Sequence, residues 1–133
     1  MRLDTRATGK WLSCGRCREL VYAEHFERDQ RICPYCGHHA RLTARERLGT
    51  LLDASPTPIG AAPTVEDPLG FADVRPYRER LARARQDTGL DEAVLCVAGT
   101  ILGRPVVAAV MDFAFLGGSL GCAVGERITA AAD

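Results

Sequence analysis

The sequence is short of almost everything that would commit it to a membrane, a polyelectrolyte surface or an export route. No apolar run approaches the ~20 residues that a bilayer-spanning helix needs. Neither sign of charge is in excess. Seventeen Lys and Arg balance seventeen Asp and Glu over 133 residues, which argues against strong non-specific attraction to nucleic acid or anionic lipid, a local patch aside. The opening stretch, MRLDTRATGKW, has no apolar h-region, so no secretory signal is expected and the cytoplasm is the expected location. What is present is 47% hydrophobic residues and 13 glycines, the composition of a globular chain rather than a disordered one. The length suits one domain with a modest core, or a small metal module joined to part of something larger.

Six cysteines in a short chain raise the question of a disulfide framework, and their distribution answers it. Four form two CxxC pairs within the first 36 residues, whereas Cys96 and Cys122 stand alone in apolar or glycine-rich surroundings. Clustered pairs without an export signal read as thiolate metal ligands, and the two isolated cysteines as small buried residues. Charge is also uneven. Residues 1–50 carry ten Lys/Arg against six Asp/Glu, and residues 51–133 carry seven against eleven. A mildly basic, cysteine-bearing front keeps nucleic acid in view as a weak alternative.

Three segments follow. Residues 11–41, WLSCGRCRELVYAEHFERDQRICPYCGHHAR, offer a short strand at Leu20–Tyr22 and another at Arg31 and Ile32, with His25 in a charged loop. There is too little apolar material here for a core. Residues 42–89 read as a helical connector. Thr43 and Glu46 make a capping-box pair before a stripe of Leu48, Leu51 and Leu52. Pro56, Pro58, Gly60 and Pro63 then give an extended linker. A second helix starts near Pro76, with Tyr77, Leu81, Ala84 and Thr88 on one side and Gly89 as its stop. Residues 90–133 change period. Val94 to Leu102 and Pro105 to Phe115 form a hairpin turning at Gly103-Arg104, and PVVAAVM, lacking clean alternation, reads as a strand covered on both faces. Gly117, Gly118 and Gly121 make a close-approach loop before a last helix from Gly125. A hairpin and one short helix do not enclose a core. The expected solution is a second polypeptide, or a second copy, that completes the sheet; the alternative is that the connector folds back over it.

The metal reading is specific. Cys14 and Cys17, and Cys33 and Cys36, are CxxC pairs with fifteen residues between them. Two such turns can aim four sulfurs at one tetrahedral point with Zn–S ~2.3 Å. Gly15 and Gly37 suit the tight knuckles, and Arg16, Arg18, Arg31 and Arg41 would offset the charge of four thiolates. Iron in a rubredoxin-like S4 site is the chemical competitor. A redox dithiol would need only one pair. Four sulfurs fill the tetrahedron, which leaves His38 and His39 as surface or packing residues. A closed S4 site cannot activate water, so its metal is structural.

The residues WLSCGRCRELVYAEHFERDQRICPYCGHHARLTARERL, then DPLGFADVRPYRERLARARQDTGLDEAV, then GTILGRPVVAAVMDFAFLGGSLGCAVGERITAA resemble, in order, the bacterial acetyl-CoA carboxylase carboxyltransferase beta subunit. The resemblance implies a zinc ribbon followed by an incomplete α/β crotonase-like segment over residues 90–133. It implies a partner as well, a second crotonase-like carboxyltransferase chain. Together the two would move a carboxyl group from carboxybiotin, carried by a separate protein, to acetyl-CoA or a related acyl-CoA, in fatty acid biosynthesis. Members of that family are longer and carry a further glycine-rich, N–H-donating segment, so the chain is expected to be one piece of a split enzyme and not complete alone.

Within that resemblance, Gly117 and Gly118 are the candidate catalytic residues, as backbone N–H donors to an enolate oxygen or as acyl-CoA contacts. Asp112 reads as a turn cap or a partner of Arg127 rather than a base, and Glu126 as an aid to the last helix's start. Ser119 has no His–Asp partners for a hydrolase triad. Tyr77 and the arginines of the second helix are candidates for CoA phosphates or the companion subunit. Two alternatives stand beside the carboxyltransferase reading: a biotin-independent malonyl-thioester decarboxylase subunit, which uses the same enolate, and a zinc-ribbon adaptor or nucleic-acid-binding regulator.

Overall fold

A computed structural model describes residues 10–133, which divide into two compact units, one ending at Leu42 and one running from Thr43 to Asp133. In the first, β1 (Trp11–Ser13) pairs antiparallel with β2 (Leu20–Tyr22), and α1 (Ala23–Arg28) follows directly. Register places Trp11 opposite Tyr22, with ring centroids 5.4 Å apart. The expected strand at Arg31 and Ile32 reduces to a single bridge between Ile32 and His39. His25 sits in α1, not in a loop, and its ring meets Tyr22 at 5.3 Å. The buried residues of this unit are Cys14, Val21 and Cys33, with Phe26 packed against them. So small an apolar cluster does not offset the ordering entropy of thirty residues.

The second unit begins with α2 (Ala44–Leu51), whose capping box forms as the sequence predicts: the Thr43 N–H donates to Glu46 Oε2 at 2.7 Å and the Glu46 N–H to Thr43 Oγ1 at 3.2 Å. Its buried face is Ala44, Leu48 and Leu52, while Leu51 of the expected stripe points outward. The segment after it is not a plain linker. Residues Thr57–Pro58 form β3, which pairs with β4 (Val94–Ile101), and β4 pairs with β5 (Arg104–Met111) in the order β3-β4-β5, all antiparallel. Helix α3 (Tyr77–Thr88) starts one residue after Pro76 and ends at a left-handed Gly89, and α4 (Cys122–Ala132) closes the chain. It begins three residues before the expected start, which puts Glu126 beyond its first turn.

Strand β4 is covered on both faces. On one side Val94 and Cys96 join Leu81, Ala84, Leu90, Ala93, Phe115 and Val124 from α3, α4 and their loops. On the other, Val97 packs with Leu48 and Leu52 of α2, against half-buried Val106, Ala108 and Val110 of β5. Leu52 reaches β4 because position 99 is glycine: a Cβ there would lie 3.1 Å from Leu52 Cδ1. The doubly covered strand was expected to be the second one. Instead β5 alternates, with Val107 and Ala109 exposed. The connector expected over 42–89 and the segment 90–133 share this unit: α2, β3 and α3 pack on the hairpin. What stays open is the outer edge of β5, which has no strand neighbour among the described residues.

Two carboxylates fix this arrangement. The hairpin turns at Leu102 and Gly103, one residue earlier than expected, with φ of 51° and 74°, the paired left-handed geometry of a two-residue hairpin turn. Asp53, just past α2, accepts both their N–H groups (2.9 and 2.8 Å), and its own N–H donates to the Thr100 carbonyl at 2.9 Å. Asp112 is buried. It accepts the Ala44 N–H at 2.8 Å and the Ala114 N–H at 2.9 Å, so it caps the first turn of α2 and the turn after β5. Arg127 is not its partner; it faces Asp91 at 3.9 Å.

The N–H groups of Gly103 and Leu102 hold the Asp53 carboxyl below its usual range. A depressed folded pKa gives stability that is present above the unfolded value, near ~3.9, and lost as pH falls through the folded one. Asp53→Asn should therefore lower the unfolding midpoint at neutral pH, with the difference vanishing in acid, as read by thermal melts across pH. Asp112→Ala leaves two N–H groups without acceptors and should cost about 1–3 kcal/mol in denaturant titrations.

Candidate metal centre and glycine-loop cleft

The two CxxC turns are built alike. The Arg18 N–H donates to the Cys14 carbonyl (3.0 Å) and the Cys14 N–H to Glu19 (2.9 Å); the Gly37 N–H donates to Cys33 (2.9 Å) and the Cys33 N–H to His38 (2.9 Å). The residue after each second cysteine is left-handed, Arg18 and Gly37 both at φ 66°. The knuckle role expected of Gly15 thus falls to Arg18, a strained choice for a side-chain-bearing residue.

These knuckles bring four sulfurs together. Cys14 Sγ and Cys36 Sγ are 3.8 Å apart, Cys17 Sγ and Cys33 Sγ 3.7 Å, and all four lie within 4.8 Å of one another. A tetrahedron with Zn–S ~2.3 Å has an edge of about 3.8 Å, so the spacing fits the ion. Burial pushes the Cys14 thiol up, but the N–H groups of Cys17 and Arg16 outweigh it and bring it down to about 6. At Cys17 the Glu19 N–H favours the thiolate, yet burial and the three neighbouring sulfurs push it up to about 12. Four sulfurs this close cannot all ionise unaided. A divalent cation supplies the missing positive charge. No histidine joins the group among the described residues. Of the four arginines expected to offset its charge, Arg31 is held by Glu27 (2.9 Å) and the Arg41 carbonyl (3.0 Å).

In the second unit the glycine loop connects β5 to α4. Leu116, Gly117 and Gly118 are successively left-handed. The Gly118 N–H donates to the Phe115 carbonyl at 2.8 Å and closes a turn. Of the two candidate donors, then, only the Gly117 N–H has no protein acceptor among the described residues. Beside the loop is a cleft of about 270 Å³, whose walls include Phe71, Tyr77, Leu116, Ser119, Leu120 and Gly121. Burial, and then the charge of Glu92, push the Tyr77 phenol up, so it stays protonated at neutral pH. Cys122 borders this cleft and is exposed, contrary to expectation, whereas Cys96 is buried and burial raises its thiol pKa.

The arginines of α3 expected to meet phosphates are partly committed. Arg85 binds Glu66 (2.6 Å), buried Glu92 (3.1 Å) and the Asp91 carbonyl (2.9 Å), and Arg80 binds Asp73 (2.7 Å). Asp112 has both oxygens occupied by N–H donors, which leaves it no role as a base. Ser119 has no histidine in its own unit, since His25, His38 and His39 all precede Thr43. Sequence reasoning missed a second, larger groove of about 660 Å³ between α2, β3 and β4. Pro58 and Ile59 form part of its wall, and a two-residue strand leaves no periodic signal.

Residues 11–36 match the family model described as the acetyl-CoA carboxylase zinc finger domain. The chain is 54% identical over 127 residues to the acetyl-coenzyme A carboxylase carboxyl transferase subunits beta/alpha of Parafrankia sp. strain EAN1pec, covering 95% of this chain and 21% of that protein. It is 46% identical over 123 residues to the carboxyl transferase subunit beta of Granulibacter bethesdensis (92% and 40%) and 46% identical over 124 residues to that of Gloeobacter violaceus (92% and 41%). It thus spans between a fifth and two fifths of the length of these relatives. No helix among the described residues is long and apolar enough to cross a membrane.

With one S4 site, the purified chain should carry about one equivalent of zinc. A strong chelator should unfold residues 11–41, because binding energy of about 10–16 kcal/mol at such sites is largely folding energy. Metal analysis and amide exchange of this unit would show it. Cys33→Ser should behave as the chelated protein does, while the unit from Thr43 onward keeps its protection.

Proposed function

From the likeness to carboxyltransferase beta subunits that runs through both units, we propose that this chain is part of an acetyl-CoA carboxylase carboxyltransferase. Cys14, Cys17, Cys33 and Cys36 would hold a structural zinc ion, and residues 90–133 would form the first section of a crotonase-like segment. The observation that carries the reading is the identity across the ribbon and the glycine-loop block together, 54% over 127 residues. A ribbon alone would recur in many unrelated proteins. The open edge of β5 and the exposed Val107 and Ala109 support a second carboxyltransferase chain as partner, since an eight-residue unpaired edge is a template for strand addition.

The chemistry follows from the substrate class. Moving a carboxyl group to acetyl-CoA removes an α-proton and builds negative charge on the thioester oxygen, which fixed N–H donors stabilise without a charged side chain. The carboxyl group would arrive on biotin borne by a separate protein. On this chain the Gly117 N–H is a donor open to that oxygen, and Gly118 shapes the turn that presents it. A closed S4 centre leaves zinc out of the reaction.

Reconstitution tests this directly. Mixed with a second carboxyltransferase chain and a carboxylated biotin carrier, the protein should support malonyl-CoA formation from acetyl-CoA, and omitting it should abolish the product. A protein that forms no complex with such a chain, and instead binds duplex or RNA tightly at ~0.15 M salt, would favour the regulator reading and defeat this one.

A further inference from the structure

The cleft beside the glycine loop has largely apolar walls, and its charged side chains already have partners. Among its charged side chains, Glu66 is held by Arg85 at 2.6 Å, Arg80 by Asp73 at 2.7 Å, and Asp67 accepts the Phe71 N–H at 3.0 Å. Such a cleft does not call for a phosphate or another charged group. Tyr77 is different. Its ring packs against the buried cluster of Leu81, Val94 and Phe115, while its hydroxyl lies against Gly121 and has no hydrogen-bond partner among the described residues. Its oxygen is not sealed in, so a ligand entering the cleft can take the place of water as its acceptor.

Gly121 is the other side of this contact. Its φ of −90° and ψ of −179° are ordinary extended backbone that any residue adopts. The backbone therefore does not require glycine. Space favours it: a Cβ at position 121 would stand 3.0 Å from the Tyr77 hydroxyl oxygen, closer than ordinary van der Waals contact, and the hydroxyl would have to give way by a few tenths of an ångström. The glycine keeps an unpaired O–H donor at the wall of an apolar cleft.

The geometry points to Tyr77 as a ligand-binding residue whose O–H donates to a carbonyl oxygen of the acyl-thioester arm, with Gly121 as the positioning residue that leaves the hydroxyl its place. The assignment rests on the carboxyltransferase reading and deepens it. The ligand chemistry follows from the walls: methylenes pack on Phe71, Leu116 and Leu120, and a neutral carbonyl meets the Tyr77 hydroxyl, which with that of Ser119 is a neutral donor without a protein partner among the described residues. The phosphates of the same ligand would bind outside this cleft.

The test uses the assembled carboxyltransferase carrying Tyr77→Phe, Gly121→Ala or both. Tyr77→Phe keeps the ring in its packing and removes only the oxygen, so its unfolding midpoint should match the parent's. The KM for acetyl-CoA should rise about 5- to 10-fold, the worth of one hydrogen bond, with kcat little changed. Gly121→Ala should give a similar rise. The double variant should be no worse than Tyr77→Phe alone, because the added methyl acts only through the hydroxyl. An active assembly in which Tyr77→Phe leaves KM unchanged, or in which the two effects multiply, overturns the assignment. A parent assembly with no carboxyl transfer overturns the function itself and this assignment with it.

Discussion

Because both faces of β4 are buried, every other element of residues 43–133 is placed relative to that strand. Val94 and Cys96 need cover on one side and Val97 on the other, and three helices supply it from different parts of the chain. Helix α2 takes one face, held there by Leu52 in the gap over Gly99 and by two carboxylates. Asp112 receives its first N–H, and Asp53, two residues past its end, accepts the N–H groups of the hairpin turn. Each carboxylate accepts two backbone N–H groups, a charge-assisted arrangement stronger than neutral pairs. Helices α3 and α4 take the other face around Phe115 and Val124. The glycine loop is the link between β5 and α4, so its position follows from the same packing.

The ribbon obeys a different rule. Its apolar interior is little more than Val21, Phe26 and the cysteines themselves, and its order comes from two near-identical knuckles facing each other. Each knuckle uses the same pair of backbone hydrogen bonds and the same left-handed residue, and each presents two sulfurs at the spacing of a tetrahedron. Without a cation, four thiol groups at such distances resist ionising together, as the opposite displacements of Cys14 and Cys17 record. Fold and ion binding are one event in a module of this kind.

Function, on the reading proposed, comes from a loop that adds almost no charge. The donors offered are a backbone N–H at Gly117 and a phenol at Tyr77, while the nearby arginines are spent on structure: Arg85 gathers the 66 loop and the buried Glu92, and Arg80 holds Asp73. A neutral backbone donor suits an anionic oxygen that appears only during reaction, since it need not be stripped of a counter-ion first, whereas the phenol suits a carbonyl that is already neutral in the bound ligand.

The amino-acid sequence by itself determined the local features, those whose physics lies within a few residues. The S4 ligands follow from spacing, the α2 start from Thr43 and Glu46, the α3 stop from Gly89, and the hairpin from two β-rich runs around a glycine. Even the outcome at Asp112, a cap and not a base, was legible from its place at a strand end, although its partner was not: Ala44 is distant in sequence, and only folding brings it near. Tertiary structure alone decided which strand would be enclosed, because cover depends on where three separated helices land rather than on the strand's own pattern. It also made β3 out of a proline-rich linker, left Cys122 exposed, withdrew the Gly118 N–H into a turn and set the Tyr77 hydroxyl against Gly121. Those are contacts between residues far apart in the chain, fixed by packing and steric fit, and no periodicity or short motif encodes them.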